Sequence, residues 1–85
     1  MTTLTTAVAN HVCKAHNKGR NIFNDRLKDG SRSLKVWGWE LEQYTDAAGI
    51  LKIAGCSVKI KRSVRKYSGT SVERIVTRLH VKEPA

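Results

Sequence analysis

Basic side chains recur at alternate positions towards the end of this chain. Lys59, Lys61 and Arg65 stand in one run, Arg74 and Arg78 in another, and Ser68-Gly69-Thr70 separates the two. If both runs are strands joined by a two-residue loop at Gly69-Thr70, glycine comes first, as a type II′ turn requires. That loop sets Arg65 opposite Arg74, Lys61 opposite Arg78 and Lys59 opposite His80. Ser63 then faces Val76, and Tyr67 faces Val72. Like charges directly opposite one another repel. A phosphate backbone laid on them would turn the repulsion into attraction and release its own counterions.

The same register pairs Val64 with Ile75, Arg62 with Thr77, Ile60 with Leu79 and Val58 with Val81 on the other face. Three of these pairs are apolar on both sides, and a slip of one residue would destroy the match. The expected phosphate contacts are therefore Lys59, Lys61, Arg65, Arg74 and Arg78. Arg62 and Lys66 would extend the patch from the strand edge and turn, and Tyr67 and His80 would stack or hydrogen-bond at its margins. Phosphate contact positions a protein without reading bases, so limited sequence specificity is expected.

Other chemistry has weaker support. His11, Cys13, His16, Cys56 and His80 can ligate metal, but no Cys-x-x-Cys or His-x₃-His spacing unites them. Glu40, Glu42 and Asp46 could hold Mg²⁺ as a nuclease would need; solvated polar positions are the simpler reading. There is no nucleophile–base arrangement and no GxxxxGK[ST] loop. Neither an enzyme nor a resident cofactor, metal site or small-molecule substrate is expected.

The bulk numbers agree. In 85 residues, 16 Lys and Arg stand against 7 Asp and Glu, for a net charge of +9. Residues 57–82 carry eight of these cations and a single acid, Glu73, so the excess belongs to one segment. Such a charge favours polyanionic partners, nucleic acid before anionic membrane. A membrane-surface role would want a basic amphipathic helix, whereas this segment alternates like a strand. No apolar run reaches membrane-spanning length, and "MTTLTTAVANHV" lacks a basic n-region and an apolar h-region. Two cysteines in such a chain read as free thiols, and the protein as cytoplasmic.

Those residues need elements to hold them. Leu4, Val8, Val12 and Ala15 form one helical stripe, capped by Thr5 or Thr6 and stopped at Asn17-Lys18-Gly19. Ile22, Phe23, Arg26 and Leu27 suggest a second, shorter helix ending at Gly30. "SLKVWGWELEQY" alternates as a strand that places Trp37 and Trp39 together, "TDAAG" reads as a turn, and "ILKIAGCSVKIKRSV" as a long second strand. "SVERIVTRLHVK" is the third. A first hairpin centred on Ala47-Ala48 would pair Leu41 with Ala54, Trp39 with Cys56 and Trp37 with Val58. Both tryptophans then join the core, with base stacking the competing role.

The expected fold is α+β: an N-terminal helix or helical hairpin packed on one face of a three-stranded antiparallel sheet whose other face is basic and open. Residues 1–82 form one domain and 83–85 a short tail. A thin helical layer and half-covered tryptophans point to a homodimer. Within residues 45–67 a helix-turn-helix is the competing structure, with "CSVKIKRSVRKY" as its recognition helix. Against it stand Lys52 at the turn and the β-branched Val58, Ile60 and Val64.

In size and composition the chain resembles the small accessory proteins of phages and mobile elements, and no residue roles carry over from them. The expected function is a small basic DNA- or RNA-binding protein. The alternative is a non-enzymatic protein-binding module or inhibitor that sets the basic face on an acidic partner.

Overall fold

The structure is a computed structural model and describes residues 3–66, 69 and 73–84. Helix α1 spans Leu4–His16. Thr3 caps it by accepting from the Thr6 backbone N–H at 3.2 Å, which satisfies one of the free donors of the first turn. Thr5, Val8, Ala9 and Val12 form its buried stripe. Asn17, in the left-handed conformation with φ 49°, ends it.

The chain then departs from the helical hairpin that its spacing suggests. Arg20–Arg26 is strand β1 and Arg32–Trp37 is strand β2, paired antiparallel. The turn between them is built on Asp29-Gly30, with Gly30 at φ 85° and the Leu27 N–H donating to the Ser31 carbonyl at 2.8 Å. The Asp29 side chain accepts from the Ser31 N–H at 3.0 Å. Asp-Gly before a run with period two is itself a hairpin signal.

The second departure follows at Gly38. Its φ of 94° turns the chain out of β2, and residues 41–53, expected to be strand and turn, form helix α2, Leu41–Ile53. The Gln43 side chain accepts from the Glu40 N–H at 2.9 Å at its start. Buried Gln43, Tyr44, Ala47, Ala48 and Leu51 define one helical face. Gly55, at φ 97°, carries the chain out of the helix, and the Cys56 N–H donates back to the Leu51 carbonyl at 3.0 Å. This glycine exit leads into strand rather than bending one.

Strands β3, Ser57–Lys66, and β4, Glu73–Lys82, complete an antiparallel sheet of order β1-β2-β4-β3. The fold is α+β, with two helices and four strands where an N-terminal helix or helical hairpin and three strands are expected. Because residues 57–66 are strand, they provide no recognition helix.

Both helices cover one face of the sheet. The core joins Val8, Ala9 and Val12 of α1 with Tyr44, Ala47, Ala48 and Leu51 of α2, and with Leu34, Val36, Leu79 and Val81 of the strands. Glu83, expected in a tail, accepts from both the backbone N–H and the hydroxyl of Thr5, each at 2.8 Å, and so ties the end of β4 to α1.

The β2–β4 ladder is short. It joins residues 32–34 to 79–81 and stops. Beyond it the Val36 N–H and C=O turn instead to the Tyr44 hydroxyl, which accepts at 3.1 Å and donates at 3.2 Å. The phenol of α2 thus sits where the next rung would form. Past this fork β3 and β4 continue as a two-stranded arm, residues 61–66 paired with 73–78. At ~3.3 Å per residue the two-stranded segment is about 20 Å long, and its β4 side stays close to β2, with Val76 buried and Arg74 against Trp37.

Candidate nucleic-acid interface

The β3–β4 register is the one expected from the alternation. Arg65 pairs with Arg74, Lys61 with Arg78 and Lys59 with His80; on the other face Val64 pairs with Ile75, Arg62 with Thr77, Ile60 with Leu79 and Val58 with Val81. Gly69 has φ 79°; Tyr67, Val72 and the remainder of the predicted Gly69-Thr70 turn lie outside the described residues.

Opposed residues in an antiparallel pair share a face, so register carries the cationic face across the whole sheet. Ser33 pairs with His80 and Phe23 with Lys35. The face away from the helices therefore holds Arg20, Lys35, Lys59, Lys61, Arg65, Arg74, Arg78 and Lys82. The one carboxylate among the strand residues on this face is Asp25, opposite Ser33. The carboxylates that pair with lysine or arginine elsewhere are Glu40 with Lys18 at 3.4 Å, Glu83 with Arg32 at 3.8 Å and Glu73 with Lys66 at 3.5 Å. Along a strand, same-face positions recur every ~6.8 Å and adjacent strands lie ~4.8 Å apart, so Lys59 and Lys61 are one step apart while Lys61 and Arg65, and Arg74 and Arg78, are two.

Six of the nine expected site residues thus share the open face: Lys59, Lys61, Arg65, Arg74, Arg78 and His80. Arg62 and Lys66 do not join them. Their register places both on the helix-side face of the arm, Arg62 opposite Thr77 and Lys66 opposite Glu73. Arg20, Lys35 and Lys82 belong to the open face and escaped the sequence reading. Lys35 is expected on the side of its strand that carries the tryptophans into the core, and Arg20 lies between expected elements; the β2–β4 ladder places Lys35 on the open face, and the β1–β2 pairing adds Arg20. The signal that could have found them is Asp29-Gly30, which marks β1 and β2 as a hairpin.

The two tryptophans separate. Trp39 is buried, its ring edge-on to Tyr44 with centroids 5.1 Å apart, and its indole N–H donates to the Lys18 carbonyl at 3.2 Å. A side chain at Gly19 would lie 2.5 Å from that indole nitrogen, so the position admits only glycine. Trp37 stands on the cationic face, 49% exposed, with the Arg74 guanidinium 5.1 Å from its ring centroid. It pairs with Arg20 rather than Val58. The half-covered pair that pointed to a homodimer is reduced to Trp37. Phe23, also on the open face, is 50% exposed.

His80 anchors the far end of this face. Its Nε2 lies 2.6 Å from the Ser31 hydroxyl, which also contacts Asp29. A hydroxyl has one proton; given to the carboxylate, it leaves Ser31 Oγ to accept from the imidazole N–H. In a nucleophilic triad the imidazole stands between acid and hydroxyl; here the hydroxyl stands between the other two. The Ser31 hydroxyl and backbone N–H both point at Asp29 and hold its carboxyl below the usual carboxylate range.

The remaining candidate ligands are dispersed. His16 bonds Asp46 at 2.8 Å, Cys56 is a buried free thiol raised by desolvation, and Cys13 is free and half-buried. No group of three or more His, Cys, Asp or Glu among the described residues is placed to hold a metal ion. Among those residues no helix is long and apolar enough to cross a membrane. Comparison with protein-family models, with curated proteins and with solved structures finds no match.

Proposed function

We propose that this chain is a cytoplasmic nucleic-acid-binding protein that works by contact rather than catalysis. Its open sheet face receives the phosphate backbone. The observation that carries this reading is the stack of facing cations, Arg65 with Arg74 and Lys61 with Arg78, on one face of a ladder whose other face is buried under the helices at its root and exposed at its tip. A domain of this size has little stability to spend on repulsion, and a polyanion removes it.

Lys59, Lys61, Arg65, Arg74 and Arg78 are the phosphate contacts, with Arg20, Lys35 and Lys82 extending the footprint. His80 closes one end. Arg62 and Lys66, on the arm's other side, stand outside it. These contacts set position and affinity, and sequence preference is limited.

The test is filter binding of plain DNA and RNA oligonucleotides over a range of salt. Five phosphate contacts predict a slope of log K against log salt of about −3.5 to −4.5, and eight, with Arg20, Lys35 and Lys82 engaged, about −5.6 to −7.2. The double variant Arg74→Glu/Arg78→Glu should lose binding while its circular dichroism stays native. Unchanged binding would remove the face from consideration. No retention of either nucleic acid at low salt would favour an acidic protein as the partner.

A further inference from the structure

We propose that the target is single-stranded, and that two unpaired bases stack on Phe23 and Trp37. This rests on the reading of the open face as a nucleic-acid interface and specifies its substrate class. The placement of the rings carries it. Phe23 sits directly opposite Lys35, and Trp37 lies two residues further along β2 on the same face. The rings are thus diagonal neighbours, with their positions ~7–8 Å apart. That is about twice the ~3.4 Å rise per nucleotide of a stacked strand. A base on each ring therefore requires a chain drawn out and unstacked between them.

Charge and exposure point the same way. Each ring leaves half its surface in water, although both belong to residue types that dominate buried area in small domains. Lys35 lies beside Phe23 and before Trp37, Arg20 lies opposite Trp37, and the Arg74 guanidinium lies over the Trp37 ring, 5.1 Å from its centroid, so the base takes the ring's other face. Cations interleaved with aromatic platforms are what a strand of exposed bases on a phosphate backbone engages. A duplex keeps its base faces stacked on each other and offers only edges in its grooves. It gives these rings nothing to stack on.

Fluorescence anisotropy of the full chain with a labelled oligonucleotide decides the matter, using single-stranded DNA, single-stranded RNA and the matching duplex at one salt concentration. Both single strands should bind at least roughly tenfold tighter than the duplex. Preference between them would identify which sugar the face accommodates, and either preference supports the inference. Trp37→Ala and, separately, Phe23→Ala should each weaken single-strand binding by roughly 5- to 150-fold and leave duplex binding unchanged. Trp37→Phe should retain most of the affinity. Thermal unfolding of each variant checks the fold, and the two independent positions keep the test open if one variant is unstable. Duplex binding as tight as single-strand binding, with both alanine variants neutral, overturns the stacking and leaves the cationic interface standing. Failure of every oligonucleotide to bind overturns both.

Discussion

The root and the tip of the β3–β4 hairpin follow one residue pattern and meet two environments. At the root, Val81 and Leu79 are wholly buried beneath the helices. At the tip, Val64 and Ile75 occupy the same face of the same ladder and are 59% and 56% exposed. The cationic face runs past both without a change. Alternation specifies which side chains share a side of a strand; it does not supply the layer that buries them. Here that layer ends at the fork, where the Tyr44 hydroxyl takes the Val36 backbone groups and β4 leaves β2.

This contrast can be broken experimentally. The largest effect should come from the root: Leu79→Ala should cost about 2–5 kcal/mol, the range for a buried leucine whose cavity does not collapse. Urea unfolding measures it, and a neutral outcome would mean the buried face is misassigned. At the fork, Tyr44→Phe leaves two buried backbone groups of Val36 without their partner, a loss of about 1–3 kcal/mol.

Tyr44 also sharpens the comparison by pH. Burial raises its phenol above the usual tyrosine range. Its contribution is complete below the unfolded value of about 10 and is lost as pH rises through the higher folded value. Alkaline unfolding of the unaltered chain should show that decline, and Tyr44→Phe should lack it. The smallest effect belongs to the tip. Ile75→Thr should change stability by no more than about 0.5 kcal/mol, as exposed positions do. A larger loss would show the arm to be covered in solution.

The hairpin was legible because a period of two, a glycine-led loop and paired apolar residues all select one register. The elements before it were not, for reasons that particular residues make plain. Ile22, Phe23 and Leu27 fit a helical spacing as readily as a strand, and only pairing with β2 decides between them. Trp37, Trp39 and Leu41 alternate across Gly38, but its positive φ ends the strand there, so shared parity no longer means a shared face. Helix α2 buries Ala47, Ala48 and Gln43 beside Tyr44 and Leu51, a stripe with little apolar contrast. Its start, Glu40 with Gln43 three residues on, lacks the Ser, Thr, Asp or Asn that marks a strong cap. The cationic face was therefore visible for two strands, and its extension over the other two emerged only with the topology.

The junction of Thr5 with Glu83 gives the molecule a practical handle. Residues 78 apart in the chain lie a hydrogen bond from each other, on the side of the sheet that the helices occupy. A short flexible linker could join this pair while the chain is reopened within the Asp29-Gly30 turn, giving a circularly rearranged protein. A surface tether attached at the exposed Pro84, beside this junction, would present the basic side outward.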